Sequence, residues 1–222
     1  MKKQDFLSSL SKPLEYWGTK TKEEVLGLLG PETAAMVGFD QRNPHHCYTL
    51  FEHCLHAVAN LPATASLELK TAAFFHDIGK PVVATERLDG FLSFHGHAKA
   101  SGIIAEPILV KLGFADEELR KILFFIEHHD DFINFQIVKD AKKWHIAITD
   151  DNVDRYTRKV VRENPWLTKR DLQELLRLCK ADVSSQSEIV FMSGVFKESR
   201  LTKLARMRAI ERYMFHEPER EY

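Results

Sequence analysis

The chain has 222 residues, a formal net charge of −1 and 44% hydrophobic residues. That size suits one domain, or one domain with appended helices, with ample apolar material for a core. Near-neutral charge leaves no global field to recruit nucleic acid or a membrane surface, so such contacts would need a local basic patch. The cysteines, Cys47, Cys54 and Cys179, are odd in number and form no CxxC pair, which argues against a disulfide framework and for a reducing compartment. The opening Met1-Lys2-Lys3-Gln4-Asp5-Phe6 has no long apolar segment, and no apolar run approaches ~20 residues. A cytoplasmic chain without a membrane span is expected.

Helical periodicity dominates, with little alternating β-branched sequence. Residues 1–40 read as two or three short helices broken near Pro13, Gly30 and Pro31. Asn43-Pro44 signals a turn. Thr49, with Glu52 three residues on, forms a capping box that opens a helix to about Asn60, before Pro62. Ser66 can cap the next helix, along which Leu69, Ala72, Ala73 and His76 share a stripe. Gly79 is expected to end that helix, and Pro81 to prevent its restart.

A loop or small hairpin around Asp89-Gly90 fills residues 82–95. His97 begins a helix of about 97–112, ending at Gly113. Asp116 caps the following one, which carries Leu119, Ile122, Ile126 and His129 on one side and closes at His128-His129. Residues 132–160 give no clear pattern. Thr168 and Asp171 make a second capping box, for a helix bearing Leu172, Leu175, Leu176, Cys179 and Asp182. Residues 198–214 read as a basic amphipathic helix with Lys203, Arg206, Arg208 and Arg212, a run that is usually a solvated face. The elements predict an all-α, orthogonal helical bundle. It divides into a helical extension at 1–40, a main domain at 41–195 and a C-terminal basic helix at 196–222.

The chemistry concentrates around His76-Asp77-Ile78-Gly79-Lys80-Pro81. Glu52-His53 and His56 lie upstream; His95-Gly96-His97, His128-His129 and Asp182 lie downstream. Neighbours on a helix diverge, so His76 and Asp77 can face one ion only where the backbone turns. The helix end at Gly79 supplies that turn. Imidazole and carboxylate together suit a borderline divalent metal with room left for water. An aspartate at a helix C-terminus opposes the helix dipole and calls for a positive partner. A carboxylate such as Asp182, on a helix lined by Leu175, Leu176 and Cys179, is costly to bury alone.

His53, His76-Asp77 and the late Asp182 resemble the H…HD…D pattern of the HD-domain metal-dependent phosphohydrolases. Asn43-Pro44-His45-His46, Glu52-His53, His76 through Pro81, Phe94-His95-Gly96-His97 and Ala181-Asp182 are similar to the HD domain attached to bacterial tRNA nucleotidyltransferases, over roughly residues 40–190. The resemblance implies an HD-domain-like bundle and a divalent metal held by His53, His76, Asp77 and Asp182. It implies that His97, His128 and His129 hold a second ion or contact substrate phosphate. Of these, His97 and His128 come first, and His128 is not separable from His129. The sequence does not distinguish Mn, Ni, Co, Fe, Mg or Zn.

Lys80 is read either as a solvated helix-end lysine or as a clamp on substrate phosphate, acting with Asp77 in catalysis. His46 and Lys99, with Arg87, are further candidates for phosphate contact. No Glu-Asp pair closely follows the HD dipeptide, unlike alarmone hydrolases. No Gly-Tyr-Pro follows His128-His129, unlike cyclic-di-GMP phosphodiesterases. No Gly-Gly-x-Val-Arg-Asp head is present, so nucleotidyltransferase activity is not carried over. The expected function is hydrolysis of a small phosphoester, a nucleotide in first place, with 2′,3′-cyclic nucleotides as one target. The alternative is an inactive nucleotide- or RNA-binding module, with the basic C-terminal helix as its RNA contact.

Overall fold

The computed structural model describes residues 1–137, 146–192 and 194–215, with Met192 described by its backbone alone. The expected C-terminal segment at 196–222 therefore lies partly outside the described residues. The fold is a helical bundle, and the expected all-α class holds.

Four short helices come first: α1 (Lys3–Ser9), α2 (Pro13–Tyr16), α3 (Lys22–Leu29) and α4 (Pro31–Ala34). Three of the four starts have a local cause. Pro13 and Pro31 occupy first-turn positions, where proline costs no hydrogen bond. Thr21 and Glu24 form a capping box for α3. Phe6 and Trp17 are fully buried. Phe6 meets Phe74 edge-on at 5.3 Å, so the N-terminal helices share the main core.

The central helices carry the site. In α5 (Leu50–Asn60), Thr49 and Glu52 make the expected capping box, and in α6 (Leu67–Phe75) Ser66 Oγ accepts from Leu69 N–H. α6 ends one residue before His76, which caps it. The chain then turns and starts again as α7 (Lys80–Val83). Pro81 was expected to prevent a restart. It instead sits in the first turn of α7, where its fixed φ favours helix. Gly79 has an ordinary φ of −77°. Space is what demands glycine there, since a Cβ would lie 2.6 Å from Ser101 N and 2.7 Å from His97 O.

A small hairpin follows, β1 (Thr85–Glu86) antiparallel to β2 (Leu92–Ser93). Then come α8 (His97–Leu112), closed by Gly113 at φ 92°, and α9 (Asp116–His128), capped by His129. Asp116 is the first residue of α9, not its cap, and Ala115 precedes it. A 3-10 turn at Asp131–Asn134 leads into β3 (Phe135–Gln136), which pairs in parallel with β4 (Ile146–Ala147).

α10 (Asp150–Glu163) and α11 (Lys169–Ser184) follow, the latter opened by the expected Thr168 and Asp171 box. A hairpin that periodicity did not indicate comes next, β5 (Ile189–Met192) against β6 (Val195–Ser199). It leads into α12 (Arg200–Phe215). Met207, Ile210 and Met214 bury α12 in the core. α5 packs on α6 and α11, and α9 packs on α6 and α8. These contacts gather the ends of five helices, α5, α6, α8, α9 and α11, around His76 and Asp77. Among the described residues, no helix is long and apolar enough to cross a membrane.

Candidate metal centre

His53 enters from α5, His76 and Asp77 from the turn after α6, and His97 from the start of α8. His129 caps α9, and Asp182 lies on α11. His53, His76 and Asp77 are almost completely buried.

Each imidazole is anchored by its inner nitrogen. The Nδ1 of His76 lies 2.8 Å from Ala73 O, that of His97 2.9 Å from Phe94 O and that of His129 2.7 Å from Ile126 O. The Nδ1 of His53 lies 3.3 Å from Ser185 O. A carbonyl only accepts, so Nδ1 must carry the proton and donate. Nε2 is then a bare lone pair, and in all four rings it faces inward.

Those lone pairs meet carboxylate oxygens. Asp77 Oδ2 lies 3.4 Å from His53 Nε2 and 3.3 Å from His76 Nε2. Asp77 Oδ1 lies 3.2 Å from His97 Nε2 and 3.5 Å from His129 Nε2. Asp182 Oδ1 lies 2.9 Å from His53 Nε2 and 3.7 Å from His76 Nε2. Acceptor therefore faces acceptor throughout. His53 Nε2, His76 Nε2 and Asp77 Oδ1 are buried without a hydrogen-bond partner. Only positive charge among them makes such an arrangement stable.

Two compact donor sets result, sharing Asp77. His53, His76 and Asp182 converge on one side, with Asp77 Oδ2 beside them. Asp77, His97 and His129 converge on the other. The donors are nitrogen and oxygen, which suits a borderline or hard divalent cation. Cys54 also approaches His76 and Asp77. Burial raises the pKa of its thiol, however, which keeps it protonated and a poor ligand.

Electrostatics point the same way. Burial penalises the charge on Asp77, but His76 and Lys80 outweigh it and hold the carboxyl well below its ordinary range. Burial likewise opposes Asp182, and the neighbouring His53 and His76 hold it low. Burial disfavours the charged form of His76, yet Asp77 foremost pushes its pKa well above the usual imidazole value.

Lys80 is 3% exposed. Its Nζ lies 2.6 Å from Asp77 Oδ2, donates to Gln41 Oε1 at 2.9 Å and lies 3.2 Å from His46 Nε2. The solvated-lysine reading is therefore corrected, since the ammonium sits inside the cluster. Beside these groups opens a cavity of about 490 Å³. Its walls include Asp77, Lys80, His97, His129 and Asp182, together with His45, His46 and Arg87. Lys203 and Arg206 of α12 also line it, so this part of the basic helix is a buried wall and not a solvated face.

The structure does not bring every expected residue here. His128 points away: its Nδ1 lies 2.6 Å from Asp131 Oδ2 and its ring packs on Phe124. Of the neighbouring pair, His129 is the one that reaches Asp77. Lys99 is exposed on α8 and does not line the cavity. Gln41 and Gln186 went unnoticed in the sequence because an isolated glutamine carries no spacing signal.

The HD domain family matches residues 45–184. The chain is 37% identical over 138 residues to a CC-adding tRNA nucleotidyltransferase of Thermus thermophilus, covering 58% of this chain and 31% of that protein. It is 32% identical over 113 residues to an A-adding tRNA nucleotidyltransferase of Deinococcus radiodurans, covering 48% of this chain and 26% of that protein. The chain thus spans less than a third of the length of either curated relative.

Proposed function

This chain belongs to the HD domain family, and we propose that it is a metal-dependent phosphohydrolase acting on a nucleotide or related phosphoester. The observation that carries this reading is the set of inward-facing imidazole lone pairs around the buried Asp77 carboxylate. His53, His76, Asp77 and Asp182 would hold one divalent ion; Asp77, His97 and His129 would hold a second. Such an ion supplies Lewis acidity toward phosphoryl oxygens and lowers the pKa of water.

The chain's own groups do the rest. Asp77 offers one carboxylate oxygen to each donor set, which fixes their separation. The backbone carbonyls behind the four Nδ1 atoms hold each ring in its ligating tautomer. Lys80 places positive charge beside Asp77 at the cavity wall, where it would face developing negative charge on a phosphoryl group. Arg87 and His46 lie on the same wall, within the reach of a nucleotide's other groups.

Two small ligand classes fit this reading: phosphomonoesters and phosphodiesters such as 2′,3′-cyclic nucleotides. The named activity of both relatives concerns tRNA. That makes an RNA end, presenting the same ribose phosphate chemistry, a further candidate. The test is elemental analysis of protein purified without chelator, followed by a phosphoester panel with Mn, Ni, Co, Fe, Mg and Zn added back. Metal uptake with turnover of a panel member supports the proposal. Metal uptake without any turnover supports a nucleotide- or RNA-binding module in its place.

A further inference from the structure

One line of polar contacts leaves the metal centre and ends on α12. Gln186 lies four residues beyond Asp182. Its Nε2 is 3.3 Å from both Asp182 Oδ1 and Asp182 Oδ2. Its Oε1 accepts from Lys203 Nζ at 2.6 Å. Lys203 is 5% exposed. Its ammonium also lies 3.0 Å from His45 Nδ1 and 3.9 Å from Glu198 Oε1.

The chemistry of these groups fixes the amide. A carboxylate only accepts and an ammonium only donates, whereas a carboxamide does each at opposite ends. One orientation of Gln186 satisfies both neighbours, with oxygen toward Lys203 and nitrogen toward Asp182. Without Lys203 the amide loses the donor that anchors its oxygen end, and only the longer contacts to Asp182 at 3.3 Å still orient it. A flipped amide would set its oxygen against the Asp182 carboxylate.

We propose that Lys203 is a positioning residue for the metal centre, locking the Gln186 carboxamide so that its N–H groups hold Asp182 in a ligating orientation. The inference rests on the metal reading of the site. α12 lies beyond residues 45–184, the span matched by the family. The C-terminal helix thereby becomes a working part of the centre, and not merely an appended element.

The role has a sign that simple charge does not share. Lys203 is a cation near a cation site, so by Coulomb's law alone its removal would tighten metal binding. Loss of a positioning contact weakens it, by ~10- to 100-fold for groups that orient ligands.

The experiment titrates Mn2+ into chelator-stripped full chain by calorimetry, for wild type, Lys203→Met, Gln186→Ala and the double variant. Each single substitution should weaken Mn2+ binding by ~10-fold or more. The double variant should bind no more weakly than Gln186→Ala alone, because Lys203 acts only through that amide. Unchanged or tighter binding by Lys203→Met, or losses that multiply in the double variant, would overturn the proposal. Lys203→Gln is the second variant should Lys203→Met not fold. It keeps a polar group but is shorter and uncharged, so it cannot hold the 2.6 Å contact to Gln186 Oε1 and carries the same expectation. A wild-type chain that takes up no Mn2+ refutes the metal reading itself, and the inference with it.

Discussion

Lys80 Nζ lies 2.6 Å from Asp77 Oδ2, in an ion pair whose side chains are 4% and 2% exposed. The lysine of the His-Asp-Ile-Gly-Lys turn is thus built into the centre it follows. A helix restart makes this possible, since α7 begins at Lys80 and returns the side chain toward the turn.

Lys80→Met should separate two effects. In metal-free protein it leaves a buried carboxylate without its cation, a loss of about 3–5 kcal/mol of stability. In metal-loaded protein it should lower kcat by ~10- to 1000-fold, as for loss of one charge-stabilising group. Urea denaturation of chelated samples and kinetics with metal content measured on the same sample check both. An unchanged kcat at full metal content removes Lys80 from the reaction.

Asp77→Ala should abolish hydrolysis and empty both donor sets, because each uses one oxygen of this carboxylate. Asp77→Asn tests charge apart from shape and should also fail, since an amide supplies no net charge to balance a divalent ion. Elemental analysis reads the metal, and turnover of the best panel substrate reads the activity. Wild-type turnover in either variant would falsify the assignment.

His129→Ala should lower metal stoichiometry, whereas His128→Ala should leave it unchanged. His129 Nε2 lies 3.1 Å from His97 Nε2, within the second donor set. His128 is held by Asp131, which also accepts from Tyr156 Oη–H at 2.8 Å. The comparison is made by elemental analysis after dialysis against a fixed free Mn2+ concentration. Equal loss in both variants would mean that the effect is one of folding.

Gly79→Ala should destabilise the protein by about 1–3 kcal/mol, the usual cost of overpacking. The added Cβ meets backbone atoms of α8, and these cannot rotate aside as a side chain would. Since α8 begins at His97, the displacement should also weaken the second donor set. Thermal melts with and without Mn2+ check this. A smaller stabilisation by Mn2+ than in wild type is the expected mark.

Much of the fold was legible because its signals are local. The Thr49–Glu52 and Thr168–Asp171 capping boxes, the Ser66 cap and Gly113 at positive φ all act within one turn of helix. The restart at Pro81 is not legible in the sequence, because proline both ends helices and begins them, and only the path of the chain before it settles which. The β5–β6 hairpin is not legible because Ile189, Val190 and Phe191 are all apolar, so the residue types do not alternate although Val190 is buried between exposed neighbours.

The site divides in the same way. The order of His53, His76-Asp77 and Asp182 in the chain was enough to group these residues, which the fold brings together, because family motifs are written in linear order. The choice between His128 and His129 was not, since adjacent residues at a helix end point about 100° apart and only the packing of α9 selects which faces inward. Lys203 and Arg206 looked like a solvated basic face, as the charge pattern of α12 is the same whether that face meets water or a cavity. Nothing local marks Gln186 either. Its partners come from α11 and α12, and only the docking of those helices brings Asp182 and Lys203 to opposite ends of one amide.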